Sequence, residues 1–152
     1  MARRLEAEGL YGAHPLTPET AYLADQDVWL SSEETPLARP VMIQSWLSLT
    51  VDGPGLDICI GRVSPDVLGA VNLTTLRLME GGPTLDERVL TRLGPPMLGP
   101  RDPRYDFQRR ELERWQPAAV RARARLLGED AAASDLVVRP RGHTSSEMVP
   151  RQ

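Results

Sequence analysis

Lysine is absent from the 152 residues, so all 18 basic side chains are arginines. Schiff-base catalysis, pyridoxal phosphate attachment and the phosphate-cradling P-loop each require a lysine, and all three are excluded. Cysteine is reduced to Cys59, which has no internal disulfide partner and, inside an alternating apolar stretch, reads as a small buried hydrophobe. The two histidines, His14 and His143, fall in segments expected to be tails, leaving neither a His-based relay nor a zinc site with imidazole ligands. No apolar run approaches the ~20 residues of a bilayer span. The start, MARRLEAEGLYG, lacks the apolar segment of a signal peptide, so a soluble, cytoplasmic protein without a membrane partner is expected. A net charge of −3 gives no general electrostatic hold on nucleic acid.

What is present suits one α+β domain. A chain of this length with 41% hydrophobic residues buries roughly two-thirds of the surface its unfolded form exposes, without help from a disulfide, metal or cofactor. Residues 1–16 mix charge, Gly and Pro and read as a flexible arm; 17–140 form the domain; 141–152 lack a core pattern and read as a disordered tail.

The clearest pattern runs from Val41 to Val63. Val41, Ile43, Leu47, Leu49 and Val51 are apolar with period two, broken only by Ser45, as in a strand with one buried face. Asp52-Gly53-Pro54-Gly55 supplies turn residues, and Leu56, Ile58 and Ile60 resume the alternation, which predicts a β-hairpin. Arg62 is next on that apolar face, a permanent charge that calls for a rim position or an anionic partner.

Thr17-Pro18 and Ser64-Pro65 are cap-plus-proline starts, predicting helices over 18–30 and from Pro65 toward Met79. Thr84 and Glu87 have capping-box spacing, and Leu85, Val89, Leu90 and Leu93 share one helical face ending at Gly94-Pro95-Pro96. The Pro- and Gly-rich stretch from Met97 to Asp106 predicts a loop, and Phe107, Leu112 and Trp115 form a narrow stripe after it. From Val120 to Val138 two readings compete. Pro117, the alanines and the arginines favour a helix, whereas strict alternation of Val120, Ala122, Ala124 and Leu126 with Arg121, Arg123 and Arg125 favours a strand turning at Gly128. The alternation predicts a hairpin with its arginines on one face.

This order of elements resembles that of the chorismate-pyruvate lyase family, over about 17–140. The DG turn followed by a strand closing in Gly61-Arg62 is similar to the family's central hairpin. Arg92-Leu93-Gly94, continuing Pro95-Pro96-Met97-Leu98-Gly99, resembles its segment beside the active-site flap. Trp115 to Leu126 followed by Ala133-Ser134-Asp135-Leu136 resembles its final hairpin, which carries a catalytic glutamate. The resemblance implies a single antiparallel sheet with helices packed on one side, and a cofactor-independent carbon–oxygen lyase acting on a small, chorismate-like cyclic or aromatic carboxylic acid. It places Asp135 in the catalytic position and Arg62 beside the bound acid. Where the family has a carboxylate-holding arginine in the first hairpin strand, this chain has Gln44-Ser45. Elimination of pyruvate gains aromaticity, so such a site needs mainly arginines to orient a dianion, exclusion of water and one acid or base.

Arg121, Arg123 and Arg125 are the further candidate contacts to a small acidic molecule. A structural pairing of Arg62 with Asp57 or Asp135 stands beside the ligand role. Two other functions fit the same residues: a non-catalytic ligand-binding or sensing domain, and an interaction or assembly subunit.

Overall fold

The computed structural model describes residues 2–4, 9–56, 58–79 and 81–127. Six strands, β1 (Ala2–Arg4), β2 (Leu10–Ala13), β3 (Leu16–Thr17), β4 (Asp27–Leu30), β5 (Val41–Gln44) and β6 (Leu49–Asp52), are followed by helices α1 (Pro65–Arg77), α2 (Glu87–Leu90) and α3 (Pro103–Leu126). All strand pairs are antiparallel. The α+β class and the antiparallel pairing hold, but the strands divide into two three-stranded sheets, β1-β2-β6 and β3-β5-β4, rather than one.

The division occurs inside the expected first hairpin strand. At Ser45 the chain leaves β5 through a turn closed by Leu47 N–H donating to the Gln44 carbonyl, and β6 then joins the other sheet. Val41, Met42, Ile43 and Gln44 are all fully buried, because β5 lies between two neighbours and is covered on both faces. Val41 and Ile43 meet Val28 and Leu30 of β4 and Val67, Ala70 and Val71 of α1 in one core cluster, closed by Leu85 and Val89 around α2. Gln44 instead faces α3, where its amide meets Glu111.

Four sequence expectations are corrected. Residues 9–16, expected to belong to a loose arm over 1–16, are ordered: β2 pairs with β6 from Leu10↔Asp52 to Ala13↔Leu49, Leu10 is buried, and His14 is half-buried. The helix expected over 18–30 shrinks to a 3-10 turn at Thr20–Tyr22. Thr17 spends its hydroxyl on Glu19 N–H, and the β-prone Val28-Trp29-Leu30 gains more from pairing with β5. After Gly53–Gly55 the chain does not fold back on β6, so Leu56, Ile58, Cys59 and Ile60 are exposed rather than core.

The fourth correction concerns Val120 to Leu126, which continues α3 instead of forming a strand. Asp102 caps this helix through Arg104 N–H, Pro103 opens it, and alanine and arginine are strong helix formers that carry it past Pro117. Ser64 caps α1 as expected, whereas α2 is capped by Asp86 and lasts four residues. Among the described residues no helix is long and apolar enough to cross a membrane.

Candidate functional site

Among the described residues, the arginines singled out from the sequence do not form one site. Arg62 is exposed in an irregular stretch before α1, and among the described residues it makes no ion pair. The apolar face that made its charge notable is absent, since Ile58 and Ile60 are 81% and 62% exposed. Arg121 and Arg123 project from α3 into solvent. Arg125, one turn beyond Arg121, is half-buried, and a Cβ on Gly9 would stand 3.1 Å from its guanidinium. Asp135 lies outside the described residues.

Two other sets of residues carry more structure. The first is an open groove of about 730 Å³ between α1 and α2. Trp29 lines it from β4, 38% exposed between two fully buried neighbours, and its backbone N–H donates to the Arg92 carbonyl at 2.8 Å. Gly69, Ala70 and Leu73 of α1 give it an apolar wall; a Cβ on Gly69 would meet nothing within 4 Å, so the wall stays open there. Charge on the rim comes from Glu34, Asp66 and Asp86 against Arg88 and Arg92. Arg92 is tied to Glu34 at 2.8 Å. The Ser31 N–H, and then Arg92, hold the Glu34 carboxyl below its ordinary value.

The second set is a buried polar seam under α3. Glu111, 5% exposed, accepts from Gln44 Nε2 at 2.7 Å, from Trp115 Nε1 at 3.4 Å and from Arg114 at 3.4 Å. Asp27, 1% exposed, accepts from Ala24 N–H at 2.9 Å and from Trp46 Nε1 at 3.1 Å. These acids are sealed from solvent and occupied by donors of the fold, so neither is open to a ligand.

Sequence reasoning passed over both acids. For Glu111 a signal was there: Phe107, Glu111 and Trp115 recur every four residues, so the acid sits in the middle of a buried helical stripe. For Asp27 the pattern offered only a polar break ahead of an apolar run. Among the described residues no three His, Cys, Asp or Glu side chains are grouped to hold a metal ion. Comparison with known proteins leaves the geometry to speak alone: no family model, no curated protein and no solved structure matches this chain.

Proposed function

We propose that the chain is a small-molecule binding module whose site is the groove between α1 and α2, and that its ligand is a flat organic molecule bearing a positive charge. The observation that carries this is the rim: three carboxylates face two arginines, and one of those arginines is spent on Glu34. Asp86 caps α2 through Val89 N–H but keeps its charge, so with Asp66 it outnumbers Arg88, which favours a cation and disfavours an acid. Apolar surface from Leu73 and Ala70, with Trp29 beside it, suits a planar ring.

Lyase chemistry on a chorismate-like acid, the reading the family resemblance implies, needs Arg62 and the α3 arginines around one substrate. Arg62 exposed on a loop, and Arg121 and Arg123 exposed on a helix, give that reading less support than the groove gives a cation.

Thermal-shift and calorimetric titrations with an aromatic amidine and an aromatic carboxylate distinguish the two. The amidine should raise the melting temperature, and Asp66→Asn should weaken its binding by roughly threefold to tenfold while leaving the fold intact, as expected for loss of one exposed charge contact. Binding of the carboxylate alone, or pyruvate release from chorismate, would sink the proposal.

A further inference from the structure

Asp27 opens β4 almost wholly buried, and its two carboxylate oxygens go to different parts of the chain. Oδ2 takes the Ala24 N–H, and Oδ1 takes the indole N–H of Trp46, which lies on the link between β5 and β6. Among the described residues no cation pairs with it. Arg104 of α3 is committed to Asp102 and to the carbonyls of Leu23, Pro95 and Pro96, while Asp25 in the same turn adds a like charge.

A third segment hangs on the same turn. Gly94 N–H donates to the Ala24 carbonyl at 3.0 Å, an approach so close that a Cβ on Gly94 would stand 2.7 Å from Ala24 N. Gly94 and Arg104 thus bracket the loop of residues 95–102 and fasten it to Leu23 and Ala24.

We infer that Asp27 is a proton-operated latch: neutral, it lets the Trp46 link, the Leu23–Ala24 turn and the loop of residues 95–102 close together; ionised, it loosens them. A neutral carboxyl sits comfortably in this interior. An ionised one without a paired cation has only the Ala24 and Trp46 N–H groups to offset the loss of its hydration, and burial outweighs them, so ionisation favours local opening of the three segments.

Burial pushes the Asp27 carboxyl up to about 7, opposed by the Ala24 and Trp46 N–H groups, with Asp25 adding to the rise and Arg104 opposing it. A folded value above the unfolded one, near 3.9, means stability is complete below the unfolded value and is lost as pH rises through about 7. The Asp102–Arg104 pair keeps its charges through this range. Asp102 is held far below its ordinary range by Arg104, and Arg104 is raised in turn. Burial lowers His14, near Gln44 and Leu47, so its own contribution to stability grows with pH, opposite in sign to that of Asp27, and the comparison with Asp27→Asn separates the two.

The test is urea unfolding from about pH 5 to about pH 8, together with Trp46 emission in a Trp29→Phe/Trp115→Phe background that leaves it the sole indole. The unfolding constant should rise on the order of a hundredfold across that span, and the emission should titrate with a midpoint near 7. Asp27→Asn should flatten both. Identical profiles for the wild type and Asp27→Asn would overturn the latch. Should Asp27→Asn fail to fold, Trp46→Phe decides: it removes a donor that favours the ionised form, so the stability midpoint must move to higher pH, and an unmoved midpoint overturns the inference equally.

Discussion

Glu111 shows how one buried acid can join two elements without being a catalyst. Its carboxylate is the acceptor for the Gln44 amide, which is itself fully buried. Glu111→Ala strands that donor and should cost about 1–3 kcal/mol in urea unfolding. Replacing both partners with leucine should cost much less than the two single changes added together, because neither half is then left without a partner. Strict additivity of the two would show that they are not coupled. At this scale the alternation located buried side chains even where it misjudged the strand: Val41 and Ile43 in β5, Leu47 in the link and Val51 in β6 are all buried. It was opaque for Arg62 and Cys59, whose expected surroundings depended on a second strand pairing with β6.

Pro117 lies inside α3, where it supplies no N–H to the turn before it. A proline in a helix interior costs up to about 3 kcal/mol relative to alanine, so Pro117→Ala should stabilise the protein by up to that amount and raise the melting temperature. A loss of stability would mean that the packing of the last turns, with Ala122 fully buried, depends on a bend at Pro117. The seven residues from Val120 to Leu126, taken apart from what precedes them, carry a strand period. Read on from Phe107, Glu111 and Trp115, the half-buried Ala118 and Ala119, the buried Ala122 and the half-buried Arg125 continue one helical stripe. The alternation of arginine with small residues is compatible with that stripe, since Arg121 and Arg123 both fall off it. Helix starts were more legible than helix lengths, because a cap is a local hydrogen bond: Ser64 accepts from Val67 N–H as its position predicts. Just past the end of α2, Arg92 and Leu93 pair with β4, a long-range contact that no local pattern records.

At the scale of the whole molecule, the division of the strands between two sheets decides where apolar surface is left over. Alternation reports that one face of a segment is apolar, but not that a partner strand is present to hold it, and the Gly53–Gly55 turn directs the chain away from β6. Leu56, Ile58 and Ile60 therefore remain 44%, 81% and 62% exposed. Such a run, β-prone and open, is a template for association between copies. Ile58→Ser and Ile60→Ser should each change stability by no more than about 0.5 kcal/mol, because little burial is lost. The double variant should also scatter less light than the wild type at high concentration. A hairpin with these side chains in its core would instead lose about 2–5 kcal/mol at each position, so urea unfolding of the two single variants measures directly whether the chain after Gly55 belongs to a sheet or to the surface.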